Sequence, residues 1–390
     1  MAADPIKKVT LASGKVRYRF VVDVGRHPET GERQQVTRTF DTKTEAKDEY
    51  ARIRHERAAG TLVVPAKTTV AQLIDMWLRE ATVDVEAATK RSYEDAMRYV
   101  RTRLGEKRVQ ELATADVQDL VEWMLTSARR IGGKPGTGLS VRTVDLTLGR
   151  LRAALNMAVR DRLVVRNVAE YAKVPRQARK DDRARRRARR PWTEDEVKVF
   201  LAHCAGGRLY AVMLLSLIGL RPAEVCGLRW VDVDLDAGTL SVEWTRTLVA
   251  GVVIEKDTKS TAGERGLPLP APVLAALKVF RRRQTAERLA GGEGYDASGR
   301  VVVDELGAAV KTDWLRRQAY KLMEEAEVRR VRLYDARHAC LSWMANNGVP
   351  DTVVSAWAGH ADLGFTKRTY VHPDPQSLKA GSDRLADLLG

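Results

Sequence analysis

Residues 219–230 read GLRPAEVCGLRW, and this stretch decides how the C-terminal half of the chain is interpreted. It follows the strongly apolar run AVMLLSLIGL, which is typical of a buried helix. Arg221 and Glu224 are three residues apart, so on a helix their side chains would be neighbours. Standing alone, such a pair is most often a surface ion pair. Its interpretation therefore depends on what the rest of the chain provides.

Three further segments of the same half supply cations, a histidine and a tyrosine. KSTAGERGLPLP places Lys259 in a glycine-containing turn between strands. RLYDARHACLSWM places Arg337 three residues after Tyr334, on nearly the same face of a predicted helix. WAGHADLGFTKRTYVHP places His360 ten residues before Tyr370. Each of these residues, taken singly, is more often a solvated or structural side chain than a functional one.

Length and charge restrict the class of protein. At 390 residues the chain is long enough for two or three domains. Lys and Arg number 67 against 51 Asp and Glu, a net charge of +16, which favours a polyanionic partner such as nucleic acid.

Several classes of site and location are disfavoured by what the sequence lacks. The three cysteines lack CxxC spacing, and neither GxxxxGK[ST] nor HExxH occurs. We therefore expect no cofactor, no metal and no ATP-driven chemistry. No apolar run has the length of a signal peptide core or a membrane span, so we expect a cytoplasmic location.

The N-terminal segment predicts a small sheet followed by one helix. RYRFVVDV alternates apolar residues with Arg17 and Arg19, as a half-buried strand with a basic outer face does. A second strand is predicted near residues 34–40, and Thr42 with Glu45 has the spacing of a capping box that opens a helix. The basic face suits insertion into a DNA groove or, equally, exposure to solvent.

Helical periodicity begins near Thr69 and continues to about residue 174, which predicts a bundle of four or five helices. The run RQARKDDRARRRARR follows and cannot bury a core, so an exposed linker is expected there. It is interpreted either as a strap across a DNA backbone or as a solubilising hinge. The arginines that would contact DNA are Arg183, Arg185, Arg186 and Arg187.

In this order and spacing, the motifs resemble those of the tyrosine recombinases, the phage integrase family. The matching residues are Gly219, Leu220, Arg221, Glu224, Leu228 and Trp230, then Lys259, Ser260, Gly263, Arg265, Pro268 and Leu269, then Tyr334 to Arg337, Ala358 to His360, and Thr369 with Tyr370. The resemblance implies a mainly α fold with small β elements (α+β). It divides the chain into an arm-type DNA-binding domain at 1–62 with a three-stranded sheet and a helix, a helical SAM-like core-binding domain at 63–175, a basic linker at 176–190, and a mixed α/β catalytic domain at 191–390.

The resemblance also implies roles for single residues. Tyr370 would be the nucleophile that forms a 3′-phosphotyrosine, and Lys259 the general acid. Arg221 and Arg337 would clamp the phosphate, as two fixed cations stabilise a transition state rich in negative charge. The remaining residues are His360, which would orient the phosphate or the nucleophile, Glu224, which would hold a basic partner, and Tyr334, which stands where the family usually has the first histidine of HxxR.

The function implied is a site-specific DNA recombinase that integrates or excises a mobile element. Implied partners are core-type and arm-type DNA attachment sites, a homotetramer on DNA, a host DNA-bending protein and a directionality factor, all in a bacterial host cell. Two other functions stay open at this point: a type IB topoisomerase-like enzyme, and a DNA-binding regulator whose catalytic set is vestigial. A short amphipathic helix is predicted at residues 377–389, packed either on its own domain or on a neighbouring protomer.

Overall fold

The computed structural model describes residues 4–12, 14–26, 33–59, 62–63, 66–130, 132–188, 192–249, 251–257, 263–360 and 362–370, with a few further positions between 379 and 389. By compactness the chain divides into two units, Met1–Arg185 and Arg186–Gly390. Both are mainly helical with small sheets, which confirms the predicted fold class.

The first unit begins with a three-stranded antiparallel sheet and a helix. In order along the sheet these are β1 (Lys7–Thr10), β2 (Val16–Arg26) and β3 (Arg33–Phe40), followed by α1 (Lys43–Ala58). Alternation along β2 turns Phe20 and Val22 toward α1, where they meet Ile53 in a small core. The predicted capping box is present, since the Thr42 hydroxyl accepts from the Glu45 amide at 3.2 Å.

Four helices form the second part of this unit, as their periodicity predicts. They are α2 (Val70–Ala81), α3 (Ala87–Leu104), α4 (Thr114–Thr126) and α5 (Val141–Arg160). Their apolar stripes meet in a core that is separate from that of the N-terminal sheet. The helix α6 (Arg176–Ala188) follows.

The basic run predicted as a linker is thus helical, although exposed as expected. Its arginine, lysine and alanine residues are good helix formers, so exposure does not prevent helix formation. Ala178 packs against the helical core, and Arg179 forms a two-bond ion pair with Asp145 at 2.7 and 2.9 Å.

The second unit surrounds the apolar helix predicted ahead of Arg221. Its helices are α7 (Glu194–Cys204), α8 (Tyr210–Leu217), α9 (Pro222–Gly227), α10 (Ala271–Gly291), α11 (Thr312–Glu325), α12 (Leu333–Asn346), α13 (Asp351–Ala358) and α14 (Leu363–Tyr370). Between α9 and α10 lie β4 (Val233–Asp234), β5 (Thr239–Val242), β6 (Trp244–Val249), β7 (Val252–Asp257) and β8 (Arg265–Pro268).

These strands form two small antiparallel sheets, one of order β4-β5-β8 and one the hairpin β6-β7. Most of α8 is buried, and α7, α10 and α12 pack around it. This arrangement brings the C-terminal ends of α8 and α13 and the first turns of α12 close to the start of α9, where Arg221 lies. Among the described helices, none combines the length and apolar character that crossing a bilayer requires.

Candidate active site

Arg221 lies at the start of α9, where its backbone and side chain share one carboxylate. Its amide donates to Glu224 Oε2 at 2.8 Å and its Nη1 to Glu224 Oε1 at 2.5 Å. Pro222 occupies the first turn, where its missing N–H costs nothing. The second terminal nitrogen, Nη2, donates to the Gly359 carbonyl at 3.3 Å. The guanidinium is therefore fixed by α9 on one side and by the turn after α13 on the other.

Glu224 is the buried anion that organises this part of the site. It is 2% exposed, and Arg265 donates to it from both terminal nitrogens at 3.0 and 3.3 Å. Burial alone would raise the pKa of Glu224, but the charges and hydrogen bonds of Arg265 and Arg221 outweigh burial and lower that pKa. Arg265 also donates to the carbonyl of Trp357 at 2.7 Å, and so joins β8 to α13.

Arg337 is fully buried on α12 and is held largely by backbone carbonyls. Its Nη1 donates to Gly219 at 2.5 Å, and its Nη2 donates to Ala358. Gly219 has φ +100°, a conformation that favours glycine at this position. The neighbouring carbonyls of Ala358 and Gly359 thus receive Arg337 and Arg221 respectively, which brings both guanidiniums to one turn.

His360 completes that turn. Its Nε2 lies 3.3 Å from Arg337 Nη2, and its Nδ1 lies 2.8 Å from the hydroxyl of Thr366 on α14. Burial, followed by the positive charges of Arg337 and Arg221, lowers the pKa of His360 to about 4. The imidazole is therefore neutral at physiological pH, and it can accept a hydrogen bond through one nitrogen.

Tyr334 takes a more peripheral position than its place in the motif suggests. It is 37% exposed, whereas Arg337 on the next turn of α12 is 0% exposed. Its ring meets His338 edge-on, with centroids 4.9 Å apart. Burial lowers the pKa of His338, so this imidazole also favours its neutral form.

The structure places the remaining predicted catalytic residues only in part. Tyr370 is the last residue of α14, one turn beyond Thr366, and its side chain lies outside the described part of the chain. Lys259 lies outside the described residues, in the connection between β7 and β8. The predicted general acid therefore belongs to the segment that joins these two strands.

The predicted DNA-contact arginines lie on two elements. On the open face of β2, Arg17 pairs with Asp41 at 2.8 Å and Arg19 donates to Thr39 at 3.2 Å. Arg183 and Arg185 are exposed on α6. The last two, Arg186 and Arg187, lie on the same helix with side chains outside the described part.

Three residues of the site were not predicted from the sequence. Arg265 matches the family motif in the stretch KSTAGER, which begins at Lys259, but nothing in the sequence indicated that it pairs with Glu224. Thr366 and Ser355 are buried hydroxyls near His360 and carry no motif of their own. In the described residues, no three histidine, cysteine or acidic side chains gather closely enough to bind a metal.

The arrangement can bind and polarise an anion with tetrahedral oxygens. Two guanidiniums, each pre-oriented by fixed acceptors, converge on one turn beside a neutral imidazole. Fixed donors of this kind stabilise charge that develops in a transition state without reorganising at the moment of reaction. The helix that carries Tyr370 begins three residues after His360.

Known proteins resemble both the sequence and the fold. Residues 191–377 match the phage integrase family. A tyrosine recombinase XerC-like protein of Caldanaerobacter subterraneus subsp. tengcongensis is 26% identical over 396 aligned positions, which cover 96% of this chain and 97% of the relative. The fold resembles the Tn1549 transposon integrase solved with transposon right end DNA, with a TM-score of 0.64, 21% identity, and coverage of 82% of this chain and 100% of that one.

A lambda integrase tetramer bound to a Holliday junction shares the fold over more of the chain. Its TM-score is 0.54 at 14% identity, and the match covers 95% of this chain and 97% of the lambda chain. The family match coincides with the unit that holds Arg221, Glu224, Arg337 and His360, and the XerC-like relative extends the similarity across both units. Residues 191–377 of this chain, which hold these four residues, belong to the phage integrase family, the tyrosine recombinases.

Proposed function

We propose that this enzyme is a site-specific recombinase of a mobile genetic element, and that it breaks and rejoins DNA strands through Tyr370. The observation that carries the proposal is the turn at residues 358–360, where Arg337, Arg221 and His360 meet. A phosphodiester placed against this turn would have its nonbridging oxygens beside two oriented guanidiniums.

The reaction would proceed by two transfers at phosphorus. The phenol of Tyr370 releases its proton to solvent and its oxygen attacks the phosphorus, while the bond to the 5′-oxygen breaks. Lys259 would protonate that departing oxygen. The 5′-hydroxyl of a second strand then gives its proton to Lys259 and attacks the phosphotyrosine, and Tyr370 leaves and takes up a proton from solvent. Because the covalent intermediate conserves the bond energy, strand exchange needs no nucleotide hydrolysis.

Glu224 would act indirectly, by holding the cations rather than by touching DNA. It is buried and already receives hydrogen bonds from Arg221 and Arg265. His360 would help to orient the nucleophile, because its Nδ1 contacts Thr366 on the helix that carries Tyr370. Tyr334, being exposed and beside His338, would contribute little to the chemistry.

The assembly and partners extend this proposal. Four protomers on two duplexes would provide one tyrosine for each strand exchanged, which is consistent with the tetramer solved for lambda integrase. The N-terminal sheet would bind arm-type DNA and the helical domain core-type DNA. A host DNA-bending protein and a directionality factor would assist, in the cytoplasm of a bacterial host.

The test is covalent capture on a suicide substrate. A core-site duplex nicked near the cleavage point loses a short fragment after attack, so the phosphotyrosine cannot be resealed. We expect the native chain to form an SDS-resistant adduct. We expect Tyr370→Phe to form none while it binds the same DNA with nearly unchanged affinity, since only one hydroxyl is lost.

Tyr320→Phe is the matched control, because that ring lies on α11 under Arg330 and outside the site. An adduct that persists in the Tyr370→Phe variant would show that another residue is the nucleophile. Relaxation of a supercoiled plasmid without exchange between attachment sites would identify the topoisomerase-like activity instead.

A further inference from the structure

Two buried hydroxyl groups lie behind His360, on the two helices that flank it. Ser355 belongs to α13 and is 7% exposed, and Thr366 belongs to α14 and is 0% exposed. Their oxygens are 3.2 Å apart. A buried hydroxyl loses its hydrogen bonds to water and must form others within the protein. The partners of these two hydroxyls therefore show which group donates and which accepts.

The hydrogen bonds run in one direction. Ser355 Oγ donates to the His360 carbonyl at 3.5 Å, and Thr366 Oγ1 donates to Ser355 Oγ at 3.2 Å. A hydroxyl has one proton to donate, so Thr366 must accept at its 2.8 Å contact with His360 Nδ1. The network therefore assigns the proton of the neutral imidazole to Nδ1. Nε2 is then the acceptor that faces Arg337 at 3.3 Å.

The same contacts attach α14 to the site. This helix has eight residues, too few to be stable by itself in water. Among its described side chains, those of residues 363–367, Thr366 is the one that is buried, while Phe365 is 42% exposed and meets His360 edge-on at 5.0 Å. Tyr370 follows Thr366 by one helical turn.

We propose that Thr366 is a positioning residue with two roles. Its hydroxyl attaches α14, the helix that carries Tyr370, to the turn at residues 358–360, and it holds His360 as the Nδ1–H tautomer. Ser355 supports Thr366 by accepting the hydrogen bond that the Thr366 hydroxyl donates. The inference rests on the proposed function for the role of Tyr370, whereas the tautomer it assigns does not depend on any activity. Loss of the hydroxyl would release two constraints together, the placement of Tyr370 and the orientation of the imidazole.

The decisive comparison is between Thr366→Val, which keeps the shape but removes the hydroxyl, and Thr366→Ser, which keeps the hydroxyl. We expect Thr366→Val to slow adduct formation at saturating suicide DNA by about tenfold or more, the equivalent of one buried hydrogen bond. Thr366→Ser should stay within about threefold of the native rate, and DNA affinity should be unchanged in both, since Thr366 is buried. Equal rates in the two variants would overturn the proposal.

The second measurement is the ring nitrogen NMR signal of His360 in the full chain without DNA, assigned by its loss in His360→Gln. We expect a protonated Nδ1 and an unprotonated Nε2 in the native protein, and a mixture of tautomers in Thr366→Val. A native Nε2–H signal would overturn the proposal without any variant needing to fold. A native chain that shows the Nδ1–H tautomer but forms no adduct on any DNA would instead contradict the proposed function.

Discussion

Arg337 shows how the site holds a charge inside the protein. The side chain is fully buried, and it donates to the backbone carbonyls of Gly219 and Ala358 and lies 3.3 Å from the imidazole of His360. These carbonyl dipoles hold the guanidinium in one orientation. A positive charge held in a fixed orientation inside the protein suits a phosphate in transfer, because the low dielectric strengthens the attraction.

The two arginines should respond differently to removal. We expect Arg221→Ala and Arg337→Ala each to slow adduct formation by about a hundredfold or more. Arg337→Ala should also lower the melting temperature, because the carbonyls of Gly219 and Ala358 would lose a buried donor. Arg221 has a side chain that is 31% exposed, so its loss should affect stability less.

Rates and DNA affinity would be measured together, with Arg316→Ala as a control on an exposed ion pair of α11. A parallel loss of affinity and rate in Arg221→Ala would identify that residue as a simple phosphate anchor. An unchanged melting temperature in Arg337→Ala would contradict the structural part of the interpretation.

Glu224 should contribute stability that depends on pH. Its pKa is lowered from the usual 4.5, because Arg265 and Arg221 favour the ionised form more than burial opposes it. The ionised carboxylate therefore stabilises the fold fully above pH 4.5, and this contribution is lost as pH falls through the lower folded pKa. We expect Glu224→Gln to reduce the free energy of unfolding by about 3 kcal/mol at pH 7, as breaking a buried ion pair does.

The difference between the native chain and Glu224→Gln should then shrink below pH 4.5, as measured by denaturant unfolding across pH. The titration of His360 is common to both proteins and cancels in this difference. Glu293→Gln, at an exposed position, is the control. A difference that stays constant with pH would show that ionisation of Glu224 does not stabilise the fold.

The sequence predicts which residues belong to the site better than it predicts which groups those residues contact. Arg221, Glu224, Arg337 and His360 were all predicted as site residues, and the structure brings them together. Their anchoring groups could not be predicted, since Arg337 is held by a carbonyl 118 positions away in the chain. Carbonyls and buried hydroxyls occur throughout a protein, and only the tertiary fold selects which of them a guanidinium meets.

At the scale of elements, α6 shows why a charged run need not be irregular. Its arginines favour a helix, and the contacts of Ala178 and Arg179 with the helical core fix its first turns. Arg183 and Arg185 lie beyond that anchor and are exposed. The division between the two units falls within this helix, after Arg185.

We expect the double change Arg183→Ala with Arg185→Ala to weaken DNA binding while it leaves the chemistry intact. If both arginines contact phosphates, the slope of log K against log salt should fall in magnitude by about two. Binding would be measured by fluorescence anisotropy over a salt series, and the adduct rate at saturating DNA should match the native rate. A slope equal to the native one would favour the solubilising interpretation of this helix.

Helices with strong local signals were predicted well, and short elements were not. The capping box at Thr42 starts a helix as predicted, and the stretch whose periodicity predicted four or five helices contains α2 to α5. The two-residue strand β4 carries no periodicity, because its pairing with β5 is set by tertiary contacts. In the predicted C-terminal helix at residues 377–389, the structure describes scattered positions, which are helical, and Leu385 and Leu389 among them are exposed.

At the scale of the whole molecule, the chemistry and the N-terminal sheet are separate. The sheet and α1 enclose their own core around Phe20, and none of the predicted catalytic residues lies in that segment. A sequence can predict this separation, because the change from alternating to helical periodicity near Thr69 is local. The arrangement of the units on DNA depends on the surfaces of the units and on the DNA itself. Sequence periodicity carries no information about either.

Deletion of residues 1–62 should therefore separate strand cleavage from recombination. We expect the shortened chain to form the Tyr370 adduct on core-site DNA at the native rate, and to recombine full attachment sites poorly. The open face of β2 carries Arg17 and Arg19, and a module that binds a second DNA site raises the local concentration of the core site without contributing to the chemistry.

Binding of the intact and the shortened chain to separate arm and core oligonucleotides over a salt series would check this prediction, with Arg19→Ala as the point variant. If the shortened chain bound arm DNA as tightly as the intact chain, the site for arm DNA would have to lie outside residues 1–62. The next surface to test would then be α6, because its exposed residues Arg183 and Arg185 are also candidates for DNA contact.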